Sequence, residues 1–400
     1  MGCEGIDLPP IEAVFYQSKF YNMDLVCFSH LHWNFVYQRP QHLLSRFATQ
    51  YRVFYVQEFE FNDLEDGYTI MESKENVLIV IPHLNNGGHS DHLSRQRTVI
   101  NDLFKAKKIL NYLLWYYTPL SLLYTDHLQP VSTVYDCMDE LSAFKFANPQ
   151  LGEAERLLFK KADLVFTGGN NLYDAKKHLH HNIHPFPSSI DKEHFSIARG
   201  KLEEMEDQAN IPHPRLGFFG VIDERLDIEL IEAAANLRPD WQFVIIGPVV
   251  KIDAATLPRN TNIHYLGSKT YQELPVYISG WDIALIPFAL NESTRFISPT
   301  KTPEYLAAGK PVISSAIRDV VYPYGKQGLV HIIEDAAGLV EKAEFELSRV
   351  TTPVSTQWLA KVDEFLASNS WDITWFKMHE LIKKEIYYKQ HSGTKTAQYV

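Results

Sequence analysis

The sequence predicts an α/β protein made of two doubly wound domains that face each other across a central cleft. Short apolar runs alternate with helical segments over residues 23–190, and the same alternation restarts after residue 214. With 400 residues, 45% of them hydrophobic, the chain can bury two cores. We therefore expect parallel sheets covered by helices on both faces, with ligands binding at the carboxyl ends of the strands.

The first domain is expected to open with a strand at residues 25–28 and a helix at 40–48. A long apolar and aromatic run at 109–124 is interpreted as a buried helix that turns at Pro119. Its alternative is contact with a membrane surface or a lipid-linked substrate. The remaining strands of this domain are expected at residues 53–56, 77–81, 132–135 and 164–167.

The second domain follows a segment that starts with Pro and Ser and continues with charged residues, which is typical of a linker. Helical periodicity near the C-terminus predicts helices that cross back to the first domain. Strands are expected at 215–219, 242–246, 263–266, 283–286 and 312–313, with a helix at 228–237. The expected division is an N-terminal extension (1–22), a first Rossmann-like domain (23–190), a linker (191–214), a second Rossmann-like domain (215–353), crossover helices (354–390) and a tail (391–400).

Composition excludes several classes of protein. A formal charge of −11 disfavours a nucleic-acid partner, because affinity for phosphate backbones needs clustered Lys and Arg. Three cysteines without metal-ligand spacing indicate a reducing compartment with no disulfide or zinc site. Neither a signal peptide nor a membrane-spanning run is recognisable, so a cytoplasmic location is expected. The absence of P-loop, Gly-x-Gly-x-x-Gly and nucleophile-elbow motifs disfavours an oxidoreductase or a serine hydrolase.

One predicted helix carries groups suited to a phosphorylated ligand. It is expected to have Ser298 at its N-cap and Pro299 as its first residue, and to stop at Gly309. Lys301 and Glu304 are neighbours on one face, where the ammonium could meet a diphosphate and the carboxylate could accept from sugar hydroxyls. The alternative is an ordinary ion pair on a solvated helix.

Further candidates lie where other strands of the second domain end. Gly220 ends the first of these strands and would let a backbone approach a ligand closely, while Arg225 in the next loop could bind phosphate. A tight turn with a solvent-facing arginine is the alternative. Gly247 ends the second strand at the same rim.

The first strand of the first domain leads into a loop with groups that could hold an acceptor hydroxyl or a phosphate. His30, His32 and Trp33 lie in this loop, and Arg39 opens the next helix. The histidines could also lack a role. A cation at a helix start is unfavourable unless an anion accompanies it, so Arg39 is expected to have an anionic partner.

A general base is expected at the end of another strand of the first domain. Asp136 and Asp139 are clustered there with Glu140, and mutual repulsion could raise the pKa of one carboxylate. The alternative is that Asp139 caps the following helix. The four histidines at 178, 180, 181 and 184 are interpreted as a helix C-terminus and not as a metal site.

These residues lie in segments that resemble the two-domain (GT-B) nucleotide-sugar glycosyltransferases, in particular the group 1, family 4-like enzymes that build bacterial polysaccharides. Segment 186–195 is similar to that family's interdomain segment, and segments 282–288 and 298–312 are similar to its donor-binding core. The resemblance implies that Glu304 binds the ribose, that Ser298, Thr300 and Lys301 bind the diphosphate, and that Gly220 and Arg225 lie on its phosphate side. The family's first glutamate, eight positions before Glu304, is replaced by Phe296.

The resemblance implies transfer of a sugar from a nucleotide-diphosphate sugar to a hydroxyl acceptor, without a metal and with no further cofactor. Asp136, Asp139 and His32 are the catalytic candidates. If Asp139 is the base the anomeric centre inverts; otherwise the donor phosphate takes the proton and configuration is retained. A lipid-linked acceptor would place the protein at the inner face of the membrane. The alternatives are a nucleotide-sugar epimerase and a non-catalytic nucleotide-sugar-binding protein.

Overall fold

A computed structural model describes residues 23–87, 91–349 and 353–392 of the chain. The predicted N-terminal extension and residues 393–400 of the predicted tail lie outside them, as does Cys3. Cys27 and Cys137 are buried free thiols, in agreement with the absence of a disulfide between them.

The first domain is a nine-stranded sheet in which every pairing is parallel except that of the fourth and fifth strands. Its strands are β1 (Asp24–Phe28), β2 (Arg52–Val56), β3 (Glu60–Asn62), β4 (Gly67–Glu72), β5 (Val77–Asn85), β6 (Tyr112–Tyr116), β7 (Ser132–Cys137), β8 (Leu164–Thr167) and β9 (Ile183–Pro185). The order is β3-β5-β2-β1-β6-β7-β8-β9, with β4 on β5. Its helices are α1 (Arg39–Phe47), α2 (His92–Lys107), α3 (Leu122–Thr125), α4 (Leu151–Lys161) and α5 (Asn170–Lys176).

The apolar run 109–124 is not one buried helix, so this prediction was wrong; only its end belongs to an α-helix, α3. Residues 112–116 form β6, which pairs with β1 on one side and β7 on the other. All five of its residues are buried. A strand covered on both faces has the same continuous apolar sequence as a buried helix, and only the sheet distinguishes the two.

The segment 191–214, expected to be a linker, is part of the second domain's packing. It forms α6 (Lys192–Ser196) and α7 (Glu206–Ala209). Three of its apolar side chains, Phe195, Ala198 and Ile211, are buried in the core of that domain. Polar composition predicted a solvated connection, but these three side chains hold the segment against the second sheet.

The second domain is a six-stranded, wholly parallel sheet. Its strands are β10 (Arg215–Phe219), β11 (Gln242–Ile246), β12 (Ile263–Tyr265), β13 (Ile283–Ile286), β14 (Val312–Ser315) and β15 (His331–Ile333), in the order β12-β11-β10-β13-β14-β15. Its helices are α8 (Ile228–Leu237), α9 (Leu274–Ser279), α10 (Lys301–Ala307), α11 (Arg318–Val321) and α12 (Ala336–Leu347). The predicted fold class, two doubly wound domains, is confirmed.

Two C-terminal helices cross between the domains as predicted. Helix α13 (Pro353–Leu366) buries Val362 and Leu366 in the core of the second domain. Helix α14 (Trp371–Ser392) instead buries Trp371, Met378, Ile382 and Ile386 in the core of the first domain. No helix in the described ranges is both long and apolar enough to cross a membrane.

The two interdomain crossings of the chain lie side by side. At the first, the Ile190 carbonyl accepts from the Trp371 N–H of the second at 3.2 Å. The Ser189 hydroxyl lies 2.9 Å from Asn369 Oδ1 and 2.5 Å from Thr374 Oγ1. The two crossings are therefore joined by hydrogen bonds and form one hinge between the domains.

Replacing Met378 with alanine should destabilise the first domain, because this side chain is wholly buried in its core. We expect a loss of about 2–5 kcal/mol, measured by urea denaturation. Phe376→Ala on the same helix, where the side chain is 56% exposed, is the control and should change stability by about 0.5 kcal/mol or less. Equal effects of the two substitutions would contradict the packing of α14 described above.

Candidate functional site

A cleft of about 760 Å³ opens between the two domains. Its second-domain wall is formed at the carboxyl ends of β10 and β11 and by the start of α10. Its first-domain wall includes the loop after β1 and the β4–β5 hairpin. Of the residues expected in the site, those that line the cleft are Trp33, Gly220, Arg225, Gly247, Thr300, Lys301 and Glu304.

Helix α10 begins later than the sequence predicted. Its first residue is Lys301 and its N-cap is Thr300, not Ser298. Ser298 faces away from the cleft: its carbonyl accepts from the Ser188 hydroxyl of the hinge at 2.9 Å, and it lines a separate cavity of about 570 Å³. The expected contact of Ser298 with the diphosphate is therefore not supported, because this residue binds the hinge.

Lys301 enters the cleft over the end of β10. Its amine lies 5.7–5.8 Å from the ring centroids of Phe218, Phe219 and Phe288. Gly220 has φ +145°, and a Cβ there would lie 2.3 Å from Lys301 Cε. The glycine thus admits the lysine side chain, whereas the sequence suggested that it admits a ligand.

Gly247 has an equally clear steric role. Its φ is +144°, and a Cβ would come within 1.8 Å of the Gly220 carbonyl oxygen. Both glycines lie in the backbone region that other residues rarely adopt. Together they let the ends of β10 and β11 approach each other and form a floor beneath the Lys301 side chain.

Glu304 lies one turn after Lys301 and is only 6% exposed. Its Oε2 has no hydrogen-bond partner in the described part of the chain. Burial raises the pKa of Glu304, against the effect of the Lys301 charge, and burial lowers the pKa of Lys301. Within the described ranges no carboxylate lies within 4 Å of the lysine amine, so the alternative of a solvated ion pair does not describe this helix.

Arg225 reaches the cleft from the loop after β10. Its guanidinium is held by Asp223, with Nη2 at 2.7 Å from Oδ2 and Nε at 2.9 Å from Oδ1. It also lies 5.5 Å from the ring of Phe144 in the first domain. Arg225 is therefore preorganised at the domain boundary and not free in solvent.

The histidines of the first domain are separated by the fold. His32 is exposed, and its Nδ1 lies 3.1 Å from Gln57 Oε1. His30 is partly buried with its Nδ1 unpartnered, and burial together with Lys251 of the second domain lowers its pKa to about 4. Neither lines the cleft described above, whereas Trp33 does, packed edge-on against Tyr55 at 4.9 Å.

Arg39 and Asp136 form a buried ion pair, which corrects both predicted roles. Arg39 Nη2 lies 2.8 Å from Asp136 Oδ1, its Nε lies 3.0 Å from Oδ2, and its Nη1 donates to the Phe186 carbonyl at 2.8 Å. The side chains are 4% and 0% exposed. Asp136 is thus the anionic partner that the start of α1 required. It has no access to a substrate proton, and Arg39 has none to an acceptor.

Asp139 lies after β7 and is partly buried. Burial raises its pKa to about 6, although Arg225 and Arg39 oppose the shift. The next turn, 141–143, has Glu140 at its N-cap and no side-chain cap, so Asp139 is not used as a helix cap. Of the two predicted bases, Asp139 is the one without an ion pair in the described ranges, but it is not among the residues that line the cleft.

The cleft contains an aromatic wall that the sequence did not reveal. Tyr271 lies in the 268–274 loop after β12, and its ring is 4.7 Å from that of Tyr37 in the first domain. The ring of Tyr271 also stacks on His194 at 4.2 Å. The position of Gly267 just after a strand was the signal that could have placed this loop at the rim.

Phe296, eight positions before Glu304, is not among the residues that line the cleft. It is partly buried against the core of the first domain, and its ring lies 5.1 Å from the Arg295 guanidinium. This position therefore contributes to the contact between the domains.

No group of three or more His, Cys, Asp or Glu side chains in the described ranges could hold a metal ion. The candidate histidines near 180 are separately engaged: the ring of His180 lies 3.0 Å from the Ala162 carbonyl, and that of His184 lies 2.9 Å from Asn182 Oδ1.

Comparison with known proteins shows a family model that matches the second domain and one curated relative. Residues 213–348 match the family model described as Glycosyl transferases group 1. TuaH of Bacillus subtilis strain 168, whose name assigns it a glycosyltransferase role in teichuronic acid biosynthesis, is 27% identical over 220 residues. That match covers 50% of this chain and 55% of TuaH, so the chain spans about half the length of this curated relative.

Solved structures resemble this fold over nearly their whole length. A sucrose-phosphate synthase from Thermosynechococcus elongatus has a TM-score of 0.67 and 14% identity, and covers 90% of this chain and 98% of its own. HepE of Anabaena, in complex with UDP and glucose, has a TM-score of 0.62 and 13% identity, and covers 90% of this chain and 99% of its own. The fold is GT-B.

Replacing Asp136 with asparagine should strongly destabilise the first domain, because it leaves the buried Arg39 without an anion. We expect a loss of about 3–5 kcal/mol in urea denaturation. The matched control is Asp372→Asn, whose carboxylate is 75% exposed and pairs with Arg46; its loss should be about 1 kcal/mol or less. A mild effect of Asp136→Asn on stability would contradict the structural role.

Proposed function

We propose that this chain, whose second domain is a group 1 glycosyltransferase domain within a GT-B fold, transfers a sugar from a nucleoside-diphosphate sugar to a hydroxyl acceptor. The proposal is carried by two groups of helix α10 that line the cleft: the Lys301 amine, which has no carboxylate within 4 Å in the described ranges, and Glu304 Oε2, which has no hydrogen-bond partner there. The UDP and glucose held by HepE support a nucleotide-sugar ligand.

The leaving diphosphate would be stabilised by cations that the fold has already fixed. Lys301 and Arg225 both line the cleft, and both are partly desolvated. Charge–charge interactions are stronger at such a site than in water, and the two side chains need not reorganise when negative charge develops on the leaving diphosphate. The diphosphate therefore needs no metal ion in this proposal. Glu304 would accept from the ribose.

The acceptor would enter from the first domain, beside Trp33, with Asp139 as the base. A carboxylate with a pKa near 6 is ionised at neutral pH and is basic enough to take a hydroxyl proton. This route inverts the anomeric centre. If Asp139 is not the base, the donor phosphate takes the proton on the same face and configuration is retained. The likeness to TuaH supports an acceptor that belongs to a polysaccharide, lipid-linked at the membrane or free.

Lys301→Ala should weaken nucleotide binding, because a charge-assisted contact contributes about 1.5–3 kcal/mol. We expect wild-type protein to be stabilised thermally by at least one of UDP-, GDP-, ADP- and TDP-sugars, and Kd to rise roughly 10- to 100-fold in the variant. The control is Lys326→Ala, an exposed lysine of the same domain outside the cleft. Absence of any thermal shift in the wild type would overturn the proposed function.

Asp139→Asn should reduce kcat roughly 10²- to 10⁴-fold while leaving donor affinity unchanged. Since the base must be deprotonated, wild-type kcat/KM should decrease as the pH is lowered below about 6. Glu140→Gln is the control, because that neighbouring carboxylate is already paired with Lys176 at 2.7 Å. Full activity in Asp139→Asn, with the product's configuration retained, would exclude Asp139 as the base and favour the phosphate route.

A further inference from the structure

Two polar atoms in the cleft are buried without a hydrogen-bond partner in the described chain: the Tyr271 hydroxyl and Glu304 Oε2. Buried polar groups are nearly always paired, and an unpaired one costs about 1–3 kcal/mol. One of these atoms belongs to a donor and the other to an acceptor. A ligand that satisfies both would remove both costs together.

The Tyr271 ring is fixed before any ligand arrives. It is stacked on His194, with centroids 4.2 Å apart and planes within 8°, and it meets Phe195 edge-on at 5.6 Å. The His194 Nε2 lies 2.9 Å from the Tyr271 carbonyl. Tyr37 of the first domain covers the ring from across the cleft at 4.7 Å. The hydroxyl is therefore held in place by its neighbours.

The charge states of the two groups suit a shared ligand. Burial raises the pKa of the Tyr271 phenol, and the nearby Glu304 raises it further, so the phenol stays protonated and remains a donor. Glu304, when ionised, offers only acceptors. A ligand hydroxyl can donate one hydrogen bond and accept another, which matches this pair.

We propose that Tyr271 binds the nucleotide sugar: one ribose hydroxyl donates a hydrogen bond to Glu304 and accepts a hydrogen bond from the Tyr271 phenol. This inference rests on the proposed function, which places a nucleotide sugar in the cleft. It adds a contact from a loop that the sequence did not mark. Because Tyr37 of the first domain packs against the same ring, Tyr271 would contact both the nucleotide and the first domain.

A ligand–variant cycle tests the contact. Kd is measured by calorimetry for UDP, 2′-deoxy-UDP and 3′-deoxy-UDP with wild type and with Tyr271→Phe, which keeps the ring stack and removes only the hydroxyl. If UDP does not bind, the corresponding GDP or ADP series is used. Tyr322→Phe, an exposed phenol in the same domain, is the control.

In wild type we expect the loss of one ribose hydroxyl to weaken binding about 3- to 10-fold. In Tyr271→Phe the ratio between the Kd of the deoxy nucleotide and the Kd of the full nucleotide should be at least threefold smaller, because the full nucleotide binds more weakly. Tyr322→Phe should give the same Kd values as wild type. Unchanged discrimination at both ribose positions in Tyr271→Phe would overturn this inference alone. Failure of wild type to bind any of the nucleotides would overturn the proposed function as well.

Discussion

The functional geometry of this protein depends on the hydrogen-bonded hinge in which the two chain crossings lie side by side. Ser189 and Ile190 of the first crossing bind Asn369, Trp371 and Thr374 of the second. Since α14 buries its apolar face in the first domain while α13 buries its own in the second, the chain ties each domain to the other twice. The carboxyl ends of both sheets consequently border one cleft.

Within that cleft, the close packing of the backbone determines where the charged side chains lie. Two glycines with positive φ allow the ends of β10 and β11 to approach, and the space above Gly220 is filled by the Lys301 side chain. The amine is thereby held among aromatic rings, one turn from Glu304, with both groups partly removed from water. Such groups are costly to bury without a partner, and their fixed orientation favours the anionic, hydroxylated ligand proposed for the cleft.

The predictions that failed have a common physical origin. Run 109–124 has the sequence of a buried helix, because a strand buried on both faces does not alternate between apolar and polar residues. Asp136 and Arg39 lie 97 positions apart, so the sequence suggested a base and an acceptor-side residue. Only the structure, in which the end of β7 lies beside the start of α1, shows that the two charges neutralise each other. Ser298 was placed at the helix start because a serine before a proline suits an N-cap, whereas its carbonyl binds the hinge.

By itself the sequence determined the two doubly wound domains, because apolar periodicity along short elements is a local property. It also marked Gly220, Lys301 and Glu304, which line the cleft, while their binding roles stay predictions. Only the tertiary structure decided which charged groups are available. A buried ion pair made Asp136 a structural anion, whereas Asp139 has no ion pair in the described ranges. The packing of Tyr37, Tyr271 and His194 joined three segments distant in sequence. Charge availability and ring contacts depend on neighbours in space, which no local pattern specifies.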